Sequence, residues 1–375
     1  MNRLEENKKQ LDKLLWFIPI RSLRYLLREI IYNIFNINEL VEQNNKLNNE
    51  ILDLQREIRY INTKINKNTV YIKISNDWSK DFNNHIYYMI IKTLLNKRNL
   101  EVLYSEYNPD IEIFSVVGDK ELIYRSNAKI KFFHTGEPVI NGWLKGYEDN
   151  CIGISNLSIG FNHLNNLTYV RIPLWFLYVF ESVVFYEPNK DMIYKRLNEI
   201  NNIRYNKTKF AALINKWDPS NIRMPIYNSV SKIDHISCPG KFLHNDDSLK
   251  NEYNDNKLEY LKQFKFNICP ENCVEDGYIT EKMLHSFMAG CIPIWNGDKN
   301  IEGEIINKNA VLYWDNNADN TEIIKEIETL HKNDDLYDKF IKQKRFNTDA
   351  ATDYIYNQII LLHTKIEDLI KTNLL

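Results

Sequence analysis

Long apolar runs, paired cysteines, glycine and proline tracts and net charge are all scarce in this 375-residue chain. Near the N-terminus the longest strongly apolar run, Leu14 to Ile20, falls far short of the ~20 residues that span a bilayer. No apolar core there is followed by a small-residue cleavage site, so the expectation is a protein that stays in the cytoplasm. With only 11 Gly and 10 Pro, collagenous and proline-rich linker proteins are excluded. A formal charge of −2 gives no global pull toward nucleic acid. The five cysteines (Cys151, Cys238, Cys269, Cys273, Cys291) are odd in number and scattered, which suits reduced thiols better than a disulfide framework. Cys269 and Cys273 stand four apart, but without a neighbouring His/Cys pair they do not read as zinc ligands. What remains, 44% hydrophobic and 26% charged residues, is the composition of a soluble globular protein with room for two domains.

The rest of the chain is organised around Phe264 to Asp298. Phe264 to Cys269 reads as a buried strand, and Pro270, which cannot donate to a ladder, ends it. A polar loop follows from Glu271 to Ile279. Thr280 reads as the N-cap of a helix that carries Met283, Leu284 and Phe287 at core spacing. Gly290 suits the end of that helix, and Cys291 to Trp295 reads as a second buried strand. Strand, loop, helix and strand make one βαβ unit of a parallel sheet, in which ligands gather outside the carboxyl ends of the strands. Glu281 and Lys282 fall on the first helical turn, where free backbone N–H groups attract anions. A lysine there suits a diphosphate, whereas Glu281 suits sugar or base hydroxyls. Taken alone, Thr-Glu-Lys is equally the start of a capped surface helix.

The longer string Glu271-Asn272, Gly277-Tyr278-Ile279-Thr280-Glu281-Lys282 and Ala289-Gly290-Cys291-Ile292-Pro293-Ile294 resembles the signature of the α1,3/4-fucosyltransferases, the tenth glycosyltransferase family. Thr135-Gly136-Glu137, Ile159-Gly160-Phe161 and Arg171-Ile172-Pro173-Leu174 extend the likeness upstream. The chain departs from the family at Trp295-Asn296-Gly297, where Tyr-Trp-Gly is common, and at Pro270 and Cys273 on either side of Glu271-Asn272. The resemblance implies an α/β fold of the GT-B type, two Rossmann-like domains facing a cleft, with GDP-fucose held by the C-terminal one. It assigns Glu137 as general base and Arg223, at a helix start, as a contact to the donor phosphates. Arg171 reads instead as a buried-stem ion-pair residue.

Ahead of these domains lie two accessory segments. Between Lys13 and Arg28 there are four basic residues and no acidic one, with Trp16, Phe17, Leu23 and Leu27 among them. That suits a helix in a membrane interface, or equally a packing helix. From Ile37 through Leu40, Asn44, Leu47, Ile51, Leu54, Ile58, Ile61 and Ile65 the spacing alternates between three and four. Such a heptad repeat, with β-branched a and leucine d positions, favours a parallel dimer whose register a buried Asn44 would fix. The whole reads as a basic amphipathic segment (1–36), a coiled coil (37–66), an N-terminal acceptor domain (67–186), a linker (187–209), a C-terminal donor domain (210–345) and a final helix (346–375).

The expected activity is an α-1,3-fucosyltransferase that inverts configuration on moving fucose from GDP-fucose to a hydroxyl, the 3-OH of GlcNAc, of a cell-surface glycan. Glu137, Arg223 and Lys282 would be catalytic; Asn272, Gly277, Tyr278, Thr280 and Glu281 would bind the donor. No Asp-x-Asp pair sits in a suitable loop, so no essential metal or other cofactor is expected. Glu275 and Asp276 would place extra negative charge beside the diphosphate loop. Expected partners are the GDP-sugar, the glycan acceptor, the inner face of the cytoplasmic membrane and a second copy of the chain through residues 37–65, with no nucleic acid. The alternatives are a transferase for another nucleotide sugar and an inactive coiled-coil scaffold that binds glycans.

Overall fold

The computed structural model describes residues 10, 15, 21–65, 68–79, 81–140, 144, 146–218 and 220–375. Lys13, Trp16 and Phe17 of the basic segment, and Asn66-Lys67 after the heptads, lie outside the described residues. The chain divides into two compact units. One holds the described residues of Met1–Thr69 together with Glu106–Asn108; the other holds Val70–Ser105 and Pro109–Leu375.

In the first unit a single helix, α1, runs from Arg21–Ile65. Its 45 residues make it roughly 68 Å long. Ile37, Leu40, Leu47, Ile51, Leu54 and Ile58 share one stripe at the heptad spacing and are 42% to 64% exposed. No helix among the described residues is long and apolar enough to cross a membrane.

The second unit contains two all-parallel sheets. The first has β1 (Thr69–Ser75), β2 (Glu101–Tyr104), β3 (Ile111–Phe114), β4 (Ile130–His134), β5 (Leu157–Gly160) and β6 (Tyr169–Arg171), in the order β2-β1-β3-β4-β5-β6. The second has β7 (Lys209–Ala212), β8 (Ile236–Ser237), β9 (Phe264–Ile268), β10 (Ile292–Trp295) and β11 (Leu312–Tyr313), in the order β11-β10-β9-β7-β8. In each sheet the second strand leaves to one side and later strands to the other, the doubly wound pattern with a crevice where the order reverses. The strands β3, β5 and β10 are buried throughout, as strands covered by helices on both faces must be. Two Rossmann-like sheets in one chain make the GT-B architecture that the sequence motifs imply.

Six helices position the site. They are α2 (Ile86–Asn96), α3 (Leu174–Val179), α4 (Lys190–Asn202), α5 (Arg223–Val230), α6 (Glu281–Met288) and α7 (Thr348–Asn373). Helix α4 lies in the stretch 187–209, expected to be a linker with a helix inside. Lys190, Lys195, Asn198 and Asn202 face outward, while Ile193, Leu197 and Ile200 at helical spacing are buried with Asn201. They pack on α7, which also reaches α2, β4 and β6 of the first sheet. Ile355, Ile359, Leu362, Ile366 and Ile370 of α7 join one hydrophobic cluster with Ile72 and Ile90 of the first half and Met283 and Phe287 of α6. The final helix therefore crosses back and ties both sheets into one core. A second cluster, including Phe266, Ile294, Ile226 and Val230, packs α5 beneath the second sheet.

Candidate active site

The βαβ unit β9–α6–β10 forms as its sequence pattern predicts, with Ile292 registered on Phe266 and Ile294 on Ile268. Strands β7 and β9 flank the reversal of strand order in the second sheet. The loops leaving their carboxyl ends carry Asp218 to Arg223 and Glu271 to Thr280.

After β7, one carboxylate closes the start of α5. Asp218 Oδ1 accepts from the Ile222 N–H at 2.9 Å, and Oδ2 accepts from Arg223 and Met224 at 3.0 and 2.9 Å. An acid at a helix N-terminus satisfies donors that have no partner within the helix. This cap fixes Arg223, which is 1% exposed. Its Nη2 donates to Asn272 Oδ1 at 2.9 Å, and Nη1 lies 3.5 Å from Asp218 Oδ1. Arg223 Nε and Nη1 are buried and make no hydrogen bond. Burial lowers the Arg223 pKa against the opposing charges of Asp218 and Glu271. A buried guanidinium with donor capacity left over suits the charge of a phosphate.

After β9 a second buried carboxylate organises the helix above it. Glu271 is fully buried and accepts from the Thr280 N–H at 2.9 Å, Thr280 Oγ1 at 2.7 Å and Lys282 Nζ at 3.0 Å. Thr280 stands at the N-cap of α6, but its hydroxyl makes no capping bond. The hydroxyl instead donates across the loop to the Glu271 carboxylate. Lys282 Nζ also contacts Thr280 Oγ1 at 2.9 Å and Glu281 at 3.6 Å. Burial would lower the Lys282 pKa, yet Glu271 and Glu281 outweigh it and raise the pKa. For Glu281 burial is likewise outweighed, here by Lys282 and Lys257, and its carboxyl is held below the usual range. The sequence motif flagged Glu271 only as a landmark; its role in holding Thr280 and Lys282 depends on the fold of the loop.

The first sheet contributes the turn after β4. Thr135 Oγ1 accepts from the Glu137 N–H at 3.1 Å and donates to the Glu137 carbonyl at 2.8 Å, which sets the turn. Burial raises the Glu137 pKa; Lys282 opposes this and Glu281 adds to it. The carboxyl group expected to be a base thus lies within the electrostatic field of α6, on the other sheet. Tyr178 of α3 shares that field, its hydroxyl pushed up to about 12 chiefly by burial. Glu137, Glu281 and Lys282 thus share one electrostatic field, with Arg223 joined to the loop after β9 through Asn272.

Other residues hold the two sheets together. Arg171 at the end of β6 makes a two-pronged ion pair with Glu302, at 3.0 and 2.5 Å, and its Nε donates to the Phe161 carbonyl at 2.6 Å. Glu275 and Asp276, in the loop after β9, bond across to the first sheet. Glu275 accepts from Asn162 Nδ2 at 2.9 Å and the Ile140 N–H at 3.1 Å, and Asp276 accepts from the His163 N–H at 2.7 Å. A carboxylate leaving the second sheet finds backbone donors on the first, and that pairing decides where it points. Gly277 has φ +70°, and a Cβ there would collide with the Phe161 carbonyl. Tyr278 is buried, its ring 5.3 Å from that of Phe161. Gly277 and Tyr278, expected among the donor-binding residues, stand at this seam.

Residues 73–178 match the family model described as the N-terminal domain of alpha-(1,3)-fucosyltransferase FucT. Residues 204–363 match that of glycosyltransferase family 10 (fucosyltransferase), C-terminal part. The chain is 26% identical over 322 residues to the alpha-(1,3)-fucosyltransferase FucT of Helicobacter pylori, covering 77% of this chain and 63% of that protein. It is 28% identical over 190 residues to the human 4-galactosyl-N-acetylglucosaminide 3-alpha-L-fucosyltransferase 9, covering 48% of this chain and 46% of that one. The chain thus spans about half to two thirds of the length of these curated relatives. Among solved structures, an alpha1,3-fucosyltransferase with GDP-fucose superposes with a TM-score of 0.55 at 22% identity, covering 82% of this chain and 90% of that one. Another crystal structure of an alpha1,3-fucosyltransferase gives 0.57 at 20% identity, with the same coverage. With Glu137 inside one matched region and Arg223, Glu271 and Lys282 inside the other, the chain belongs to the glycosyltransferase family 10 fucosyltransferases.

Proposed function

We propose that this chain is an inverting α-1,3-fucosyltransferase that uses GDP-fucose and acts on the 3-OH of GlcNAc in a cell-surface glycan. The product would enter protein glycosylation or lipopolysaccharide biosynthesis. The observation that carries the reading is the buried Arg223 guanidinium, whose Nε makes no hydrogen bond and whose Nη1 meets Asp218 only at 3.5 Å. It sits on the loop network that includes Lys282, whose charge reaches Glu137. In the reaction Glu137 takes the proton of the acceptor hydroxyl, and the oxygen attacks the anomeric carbon of fucose. The bond from that carbon to the phosphate oxygen breaks, and its electron pair leaves with GDP. Attack opposite the leaving group inverts the configuration. Arg223 and Lys282 neutralise the charge that grows on the diphosphate, where preorganised donors count most. Glu281 accepts from sugar hydroxyls. Asn272 and Thr280 act by holding Arg223 and Lys282, while Gly277 and Tyr278 keep the donor loop against the first sheet.

GDP release is the test, measured with GDP-fucose and a lactosamine-type acceptor against a panel of other nucleotide sugars. We expect acceptor-dependent release from GDP-fucose alone, changed by less than about tenfold on adding millimolar Mg2+ or Mn2+. Turnover only with another donor would discard fucose. Absence of both turnover and GDP binding would favour the glycan-binding scaffold.

The exposed stripe of α1 supports a parallel homodimer, with the protein in the cytoplasm and its basic segment on the inner face of the membrane. Light scattering at micromolar protein should give the mass of two chains, and Leu47→Asp combined with Leu54→Asp should halve it. A parent mass equal to one chain would overturn the dimer.

A further inference from the structure

We propose that Asp77, His85 and His134 form a binding site for a divalent transition-metal ion, zinc by its donor set, in the first sheet. Asp77 lies two residues beyond β1, His85 is the N-cap of α2, and His134 ends β4. Chain segments up to 57 residues apart thus meet at the carboxyl end of one sheet.

The distances suit shared ligation. His85 Nε2 lies 3.2 Å from both Asp77 Oδ2 and His134 Nε2, and His134 Nε2 lies 2.8 Å from Asp77 Oδ2. Ligand atoms bound tetrahedrally to zinc at about 2.0–2.1 Å are roughly 3.3 Å from one another. These are the only three such groups that converge in this way among the described residues.

Protons hold the same triangle only through one oxygen. An ionised carboxylate only accepts, so each contact to Asp77 requires a proton on the imidazole nitrogen. With both nitrogens protonated, the two N–H groups converge on Asp77 Oδ2 from nitrogens 3.2 Å apart. Removing either proton sets a lone pair against the carboxylate. A cation at the centre satisfies all three contacts at once, with both rings neutral.

The surroundings agree. The side chains of Asp77, His85 and His134 are 9%, 6% and 15% exposed, so little water competes. Asp77 Oδ1 accepts from the Ser79 N–H at 2.8 Å, which orients the carboxylate and leaves Oδ2 for the ion. His85 Nδ1 receives the Tyr88 N–H at 3.3 Å. Ligation through Nε2 moves the ring proton to Nδ1 and gives up this long contact, while Met89 still donates to the His85 carbonyl at 3.0 Å. Two imidazoles and one carboxylate with water in the fourth position are a zinc donor set. The ion would pin the end of β1, the start of α2 and the strand that leads directly into Thr135-Gly136-Glu137. That last consequence rests on Glu137 being the base; the site itself does not.

The experiment uses the full chain, stripped with chelator, dialysed and titrated with Zn2+ alone against a chromophoric chelator. Elemental analysis counts bound metal, and thermal unfolding is followed in parallel. The expected result is one zinc per chain, a higher midpoint with zinc than without, and affinity lower by at least about a hundredfold in Asp77→Asn and His85→Gln. Cobalt loading of the parent chain should give the visible bands of a tetrahedral site, which decides the matter if either variant fails to fold. No stoichiometric metal in the parent, or zinc binding unchanged in folded variants, would overturn the proposal.

Discussion

Glu137→Gln is expected to lower kcat by roughly a thousandfold while GDP affinity stays within about threefold of the parent chain. Glutamine keeps the shape of the side chain and its turn, whose bonds run through Thr135 and the backbone of residue 137. Only the capacity to take a proton is lost. The pH profile provides an independent signature. Burial raises the Glu137 pKa, so kcat/KM of the parent should fall through an acid limb above the ordinary glutamate range. Stability moves the other way. Between the ordinary and the raised pKa the folded chain binds more protons at this site than the unfolded chain, so the contribution of Glu137 to stability falls as pH rises. At neutral pH the variant should therefore be at least as stable as the parent. A variant that loses activity together with its thermal midpoint would refute this assignment, as would one that retains a tenth of the parent rate.

The second large effect concerns Arg223. Arg223→Lys is expected to lower kcat/KM for the donor by about 10²–10³-fold, or 2.7–4 kcal/mol of transition-state stabilisation. Lysine keeps the charge but offers a point donor where a planar fork can meet two phosphate oxygens. The helix beneath should survive, because Asp218 bonds backbone N–H groups of α5 as well as facing the guanidinium. Donors left unsatisfied in the parent make its binding energy conditional on the ligand. GDP should therefore raise the thermal midpoint of the parent clearly and that of the variant much less. Calorimetry decides the point: a GDP dissociation constant within threefold of the parent would remove Arg223 from the donor site.

Where structure followed local pattern, the sequence was enough. The strands Phe264–Ile268 and Ile292–Trp295 and the helix Glu281–Met288 lie within two residues of their expected bounds. A short apolar run, a breaker and helical spacing are each written over a few neighbouring positions. The heptad residues Ile37 to Ile58 likewise fall on one continuous helix. The two-residue strand β8 offered too few positions for any periodicity to register. Helix α4 was expected inside the polar linker, and Ile193, Leu197 and Ile200 carried its core face.

By itself the sequence determined the family motifs, the parallel βαβ plan and the candidates Glu137, Arg223 and Lys282, because each is encoded within a run of adjacent residues. Only the tertiary structure decided what those side chains touch. It turned Glu271 into the acceptor for Thr280 and Lys282, made Asp218 the cap above Arg223, and sent Glu275 and Asp276 to the opposite sheet. It also drew Asp77, His85 and His134 into one triangle. These pairings span five to 113 residues. Their geometry is set by how two sheets and their connecting helices pack, which no local spacing in the chain records.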